Sequence, residues 1–275
     1  MKKQLARLAK ELVPAPMRVA ARGLVGWRWF DGDYASWAEA RAASGGYDDA
    51  MIVARVAEAT RAVRSGEAAF ERDGVKFPEP IPEIGLMHAF DLVATAAKGA
   101  RWNVLDFGGA LGSTYWRHHA ELSALGAGAW DIVEQPGFVR VGQTEFSATP
   151  LRFFSEVRAA QVTRTHDLLI ASTVLQYLED PVAVLGEWMN ENFSWILLNN
   201  LPLHARKPDR IAVQNVPPEI YPASYPVWFF NREQFMARFN GRYEVASEYA
   251  SEAVWQVGLR RLASTGLLLR RKDLR

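Results

Sequence analysis

The residues most able to do chemistry in this 275-residue chain are gathered in one run, Asn103-Val104-Leu105-Asp106-Phe107-Gly108-Gly109-Ala110-Leu111-Gly112. Val104 and Leu105 read as a buried parallel strand with Asp106 near its tip. Gly108 and Gly109 allow backbone conformations closed to other residues, and Gly112 lets a helix expected from about Ser113 to Leu125 pack close to the sheet. A ligand over such a turn meets bare backbone N–H groups and the positive end of that helix. This is a grip for a nucleoside-bearing cofactor, and the neighbouring side chains decide which one. A dinucleotide turn reads G-x-G-x-x-G with no acid inside it. Here Phe107 takes the place of the first glycine, and Asp106 precedes it, where a carboxylate would repel a diphosphate. A cofactor with a sulfonium, an ammonium and no phosphate is attracted instead, which favours S-adenosyl-L-methionine. A nicotinamide-dependent oxidoreductase is the competing enzyme reading, disfavoured by Asp106 and Phe107.

A second acid supports nucleoside binding without separating the two cofactors. Trp130-Asp131-Ile132-Val133-Glu134 is a short apolar run ending in a carboxylate about twenty residues beyond the turn, the distance at which an acid reaches ribose hydroxyls. The run from Asp106 to Gly112 resembles the first motif of class I S-adenosylmethionine-dependent methyltransferases. Glu134 resembles their ribose-binding acid, and Asp167 to Pro181 is similar to their fourth strand and the loop after it. Ala110 departs from the pattern where a central glycine usually stands, and Gln176 where many members carry His. Alanine reaches positive φ only with strain, so the local backbone is expected to differ there. The phrases Phe70-Glu71-Arg72-Asp73-Gly74-Val75, Leu105 to Tyr115 and Ala212-Val213-Gln214-Asn215-Val216 resemble a narrower bacterial methyltransferase group associated with surface-polysaccharide biosynthesis. The resemblance implies a fold, an S-adenosyl-L-methionine cofactor and a glycan substrate class. Together with the turn, it gives an expected cofactor set of Asp106, Phe107, Gly108, Gly109, Gly112, Tyr115, Glu134, Gln135, Ser155 and Ser172.

The elements that must position these residues divide at about residue 100. Before it, 34–43, 47–65 and 84–98 read as helices, with a proline-rich break at Phe77-Pro78-Glu79-Pro80-Ile81-Pro82 and Gly99 as a C-cap, so residues 1–100 are expected to form an N-terminal helical cap. From Arg101 onward strands and helices alternate, the pattern of a layered α/β sheet. Seven strands are expected: 103–107, 130–134, 151–154, 167–171, 195–199, 243–249 and 265–270. Asp180 with Pro181 opens one helix, and Asn231 with Gln234 caps another. The fold class is therefore α/β, a seven-stranded Rossmann-like methyltransferase sheet with flanking helices plus the helical cap, residues 101–275 being the catalytic domain.

Between Asn200 and Asn231 the chain carries Pro202, Pro208, Pro217, Pro218, Pro222 and Pro226 with Tyr221, Tyr225, Trp228 and Phe229. Long irregular connections are functional or disordered, and aromatics argue against disorder, so about 200–230 is expected to be a substrate-binding lid, the alternative being a proline-stiffened strut that holds the helical cap on the sheet. Methyl transfer is an in-line displacement that gains from alignment and exclusion of water, and a hydroxyl acceptor adds the need for a general base. His204, directly after the fifth strand, is the first candidate for the base, with Asp209 and Tyr225 as alternatives. His88 and His166 read as structural. The aromatic group Trp27, Trp29, Phe30, Tyr34 and Trp37 either stacks on a sugar or packs the cap. No metal-ligand spacing is present, so no metal is expected.

Composition narrows the functional classes. The absence of cysteine removes disulfides, thiolate catalysis and zinc-thiolate sites, and fits a reducing cytoplasm. A net charge of +1 argues against a general nucleic-acid binder. No apolar run approaches the roughly twenty residues that span a bilayer. In residues 1–30, Lys2, Lys3, Arg7, Lys10, Arg18, Arg22 and Arg28 face only Glu11, while Leu5, Leu8 and Leu12 recur at helical spacing. That is either a helix packed on its own domain or one lying on an anionic membrane surface. The expectation is a cytoplasmic bacterial O-methyltransferase acting on a small-molecule or glycan substrate, a sugar hydroxyl of a surface polysaccharide or its precursor, with contact to the inner membrane through residues 1–30 only under the second of these two forms. A methyltransferase-like binding module without turnover is the alternative, since fold does not imply activity.

Overall fold

The computed structural model describes residues 29–46, 49–147, 150–191, 193–218, 220–239, 241–257 and 260–273. The basic segment proposed to touch a membrane, with Trp27, lies outside them except for its last two residues. No helix among the described residues is long and apolar enough to cross a membrane.

In chain order the elements are β1 (Phe30–Tyr34), α1 (Trp37–Ala42), α2 (Asp49–Ser65), β2 (Phe70–Arg72), β3 (Val75–Phe77), α3 (Ile84–Ala96), β4 (Trp102–Phe107), α4 (Ser113–Ala124), β5 (Ala127–Val133), α5 (Pro136–Val141), β6 (Leu151–Phe154), α6 (Val157–Gln161), β7 (Leu168–Ser172), α7 (Pro181–Asn190), β8 (Trp195–Leu201), β9 (Leu203–His204), β10 (Arg210–Val216), β11 (Ala223–Asn231), α8 (Arg232–Ala237), β12 (Tyr243–Val257) and β13 (Arg260–Arg271).

The main sheet has seven strands in the order β12-β13-β8-β7-β4-β5-β6. β4, β5, β6, β7 and β8 run parallel, whereas β13 is antiparallel to both β8 and β12. This is the seven-stranded Rossmann-like methyltransferase fold. Successive strand residues split between the two faces, as the pleat requires. Val104, Leu168, Leu197 and Leu268 pack with Phe90 and Val93 of α3, while Leu105, Leu169, Leu198 and Leu269 pack with Leu185 and Trp188 of α7. Burial on both faces is why these strands read as continuous apolar runs.

Two expectations change. The segment before residue 101 is not only helical: β2 and β3 form a hairpin whose two-residue turn is Asp73-Gly74, both at positive φ, the pairing a tight hairpin favours. Residues 200–231 are not an irregular lid. β1, β10, β11 and β9 form a second, four-stranded sheet. Pro226 sits opposite Val213 in a stretch of β11 that β9 does not reach, an edge position where a missing N–H is tolerated. One face of this sheet packs Ile211 and Val213 on Ala40 of α1. The other packs Ala212, Val227 and Phe229 on Trp255, which the long β12–β13 hairpin carries beyond the main sheet.

Candidate active site

The register of the parallel strands aligns their carboxyl ends along one rim. Phe107 lies opposite Val133, and Ser172 opposite Asn199. The residues at and just beyond these ends, including Gly108, Glu134, Thr173 and Asn200, therefore converge on one cavity of about 760 Å³. Its other walls come from the β2–β3 hairpin, the start of α4, the second sheet and the tip of the β12–β13 hairpin, through residues such as Glu71, Asp73, Ser113, Gln214, Tyr221 and Trp255.

The turn after β4 is built around Asp106. The carboxyl group is buried and accepts a hydrogen bond from the Trp130 indole at 3.0 Å. Burial pushes its pKa up to about 7, against the Trp130 bond and with help from the nearby Glu134 charge. Gly109 is required here, because a Cβ would stand 2.5 Å from the Asp106 carboxyl. Gly108 turns the chain at φ 72°, its missing Cβ leaving room for Val174. Ala110 holds a left-handed conformation at φ 50°, so the glycine-type backbone survives the substitution that was expected to alter it. Its N–H donates to Glu134 Oε1 at 3.3 Å, and Glu134 Oε2 accepts the Gln135 N–H at 2.6 Å. Burial raises the Glu134 carboxyl, against those two bonds.

The adjacent strand ends carry further left-handed residues, Thr173 at φ 58° and Asn200 at φ 59°. The Asn200 amide donates to Thr173 Oγ1 at 2.9 Å, while its buried Oδ1 has no partner among the described residues. Asn199 donates to Ser172 Oγ at 3.2 Å and accepts from Tyr249 and Ser251. Across the cavity the Tyr177 hydroxyl donates to Gln214 Oε1 at 2.6 Å and packs edge-on against Tyr225.

Of the cofactor residues expected from sequence, Asp106, Gly108, Gly109, Glu134 and Ser172 line the cavity, and the other five do not. Phe107 turns under the sheet onto Trp188, with ring centroids 4.9 Å apart. Gly112 starts α4 at φ 92° and shapes the turn from behind. Tyr115 packs on Trp116 and Trp130. Gln135 is the exposed N-cap of α5, and Ser155 is exposed after β6.

The three candidates for the base are not brought into the cavity. His204 holds the Phe229 carbonyl with Nε2 at 3.1 Å and accepts the Arg206 N–H with Nδ1 at 3.2 Å, so backbone occupies both ring nitrogens. Asp209 accepts the Asn231 N–H and faces Arg238 at 3.6 Å, a joint between β11 and the strand before it. Tyr225 stands behind Tyr177 and does not line the cavity. All three were placed by nearness to the fifth strand, and the second sheet carries them away from its end. In the aromatic group, Trp29 and Phe30 line the cavity, whereas Tyr34 and Trp37 pack the second sheet. Sequence reasoning missed Glu71, Asp73, Tyr177, Gln214, Tyr221 and Asn200. The Asp73-Gly74 pair was a legible hairpin signal, but nothing local showed that the hairpin closes the cavity.

No protein-family model matches the chain, and no curated protein matches it. Among solved structures it is similar to the N-terminal domain of EvdMO1 in the presence of SAH and D-fucose, with 16% identity and a TM-score of 0.44 over 78% of this chain and 95% of that one. It is similar to the glycopeptide N-methyltransferase MtfA complexed with S-adenosyl-L-methionine, with 12% identity and a TM-score of 0.44 over 68% and 94% of the two chains. A third likeness is to a S-adenosylmethionine-dependent methyltransferase from Clostridium acetobutylicum, with 9% identity and a TM-score of 0.43 over 68% and 92%.

Proposed function

We propose that this chain is an S-adenosyl-L-methionine-dependent methyltransferase whose acceptor is a sugar hydroxyl of a surface polysaccharide or its precursor. The observation that carries the cofactor is the pair Asp106 and Glu134. Asp106 is buried and Glu134 half-buried in the cavity wall, and among the described residues each is bonded only to neutral N–H donors, with no cationic partner. Two such acids side by side are costly until a cation arrives. A sulfonium and an ammonium satisfy that demand, and a diphosphate aggravates it. The glycine cradle fits the same ligand, since a Cβ at Gly108 or Gly109 would collide with its surroundings.

In this reading the bound cofactor supplies an electrophilic methyl group. Asp106 and Ser172 face its amino-acid portion, and the unused lone pairs of Glu134 hold the ribose hydroxyls. The acceptor lies toward Tyr177, where Trp29, Tyr221 and Trp255 offer aromatic faces, and Gln214 and Asn200 Oδ1 offer polar partners for ring hydroxyls. The walls exclude water and align the nucleophile, which is most of what such a displacement requires. The protein then works in the cytoplasm, with the basic segment of residues 1–30 meeting the inner membrane where lipid-linked glycans are built.

Incubation with methyl-labelled S-adenosyl-L-methionine and a panel of bacterial surface glycans and nucleotide sugars tests the assignment. Label is expected in a sugar hydroxyl. S-adenosylhomocysteine binding with no transfer to any member would favour the binding module instead. The membrane contact fails if the protein does not float with anionic liposomes.

A further inference from the structure

None of the histidines lines the cavity, so the base that a hydroxyl acceptor needs must come from another group. The tyrosine hydroxyls are unsuited to accept the proton. Burial first, and neighbouring charge next, raises both Tyr177 and Tyr221, which keeps them protonated donors. The choice falls to the lining carboxylates Glu71, Asp73, Glu83, Asp106 and Glu134.

Four of these are engaged. Glu83 holds Arg117 at 2.8 Å and His118 at 2.7 Å. Glu71 accepts the Ser113 hydroxyl and the Gly74 N–H. Asp106 and Glu134 are tied into the turn that grips the cofactor. Asp73 has no hydrogen bond or ion pair among the described residues, and sits at the tip of the hairpin on the wall shared with Tyr177 and Tyr221, whose hydroxyls feel its charge. The hairpin turn fixes its backbone, so the carboxylate is presented without a competing partner. Burial raises the Asp73 carboxyl above the ordinary aspartate range, against the lowering charge of Arg72.

We propose that Asp73 is the general base of methyl transfer, a catalytic residue supplied by the β2–β3 hairpin, an inference that rests on the cofactor reading above. The acceptor O–H gives its proton to the Asp73 carboxylate as the oxygen lone pair forms the new C–O bond. The C–S bond of the sulfonium breaks with its electron pair passing to sulfur, which leaves neutral S-adenosylhomocysteine. The proton then passes to solvent once the product has left.

Sinefungin tests this without a known acceptor, because it carries an ammonium where the cofactor carries its reacting methyl. Titration calorimetry of the intact protein should show sinefungin bound about tenfold or more tightly than S-adenosylhomocysteine, the margin of a charge-assisted contact. Asp73→Asn and Asp73→Gly both suit the hairpin turn. Each should shrink that margin toward parity while leaving the affinity for S-adenosylhomocysteine unchanged. An unchanged margin in both variants overturns the proposal, as does an equal loss for both ligands, which would assign Asp73 to cofactor binding. Wild-type protein that binds neither ligand overturns the cofactor reading itself, and this inference with it.

Discussion

Burial pushes the Asp106 carboxyl up to about 7, into the neutral range. A cationic ligand favours the charged form, so below that value binding must first expel a proton. Affinity for S-adenosyl-L-methionine should rise up to tenfold per pH unit between about pH 5 and 7 and then level off. Asp106→Asn should bind weakly at every pH, and a matching slope in this variant would assign the titration to another group. The unliganded fold should show the opposite trend. A carboxyl raised above its unfolded pKa stabilises the fold when protonated, so Asp106 and Glu71, both pushed to about 7 by burial, make thermal stability fall as pH rises from about 4 to 7. At Ala110 the left-handed backbone costs roughly 1 kcal/mol, and Ala110→Gly should return about that much stability while keeping cofactor affinity. A destabilised glycine variant in a denaturant melt would show that the strain is absent. Asp106, Gly109 and Glu134 were legible in sequence because a strand tip, a turn and a second strand tip each leave a local signature. Asp73 and Asn200 were not, since their place in the cavity depends on contacts set by distant parts of the chain.

The elements tell the same story through their packing. β6 was expected at 151–154 and is found there, because a short buried strand between turns has sharp ends. β12 was expected to end near Tyr249 yet runs to Val257, because its outer half pairs only with β13 and buries Trp255 on Phe30 and Phe229, residues remote in sequence. β10 and β11 escaped detection for a related reason. Apolar residues face both layers of the second sheet, which erases the alternation of a half-exposed strand. Two glycines lock α3 to the main sheet: the Tyr249 ring would stand 2.3 Å from a Cβ at Gly85 and 2.2 Å from one at Gly266. Gly266→Ala should therefore cost about 1 to 3 kcal/mol by overpacking, measured by chemical denaturation. Asp180 caps α7 through the Ala183 N–H at 2.9 Å and does not line the cavity. Asp180→Ala should lose about 1 kcal/mol of stability with no change in cofactor affinity, and a binding defect would contradict the division between site and scaffold.

For the whole molecule, one geometric fact connects sequence to function. The parallel strands are in register at their carboxyl ends, and a second sheet with the β2–β3 hairpin closes the space above them. The strands of the main sheet were legible from their alternation with helices, whereas their spatial order and the closing layer were not, because that layer joins β1 to strands about 180 residues later in the chain. That layer closes the space above the parallel strand ends into a cavity with aromatic and acidic walls. In the reading proposed above, the cavity selects a cationic, phosphate-free nucleoside. Parallel calorimetric titrations with S-adenosylhomocysteine and NAD, repeated on Glu134→Ala, test it most directly. S-adenosylhomocysteine should bind, NAD should not, and the variant should lose about 1.5 to 3 kcal/mol of binding. Binding of NAD in preference, or an affinity for S-adenosylhomocysteine that ignores Glu134, would contradict it.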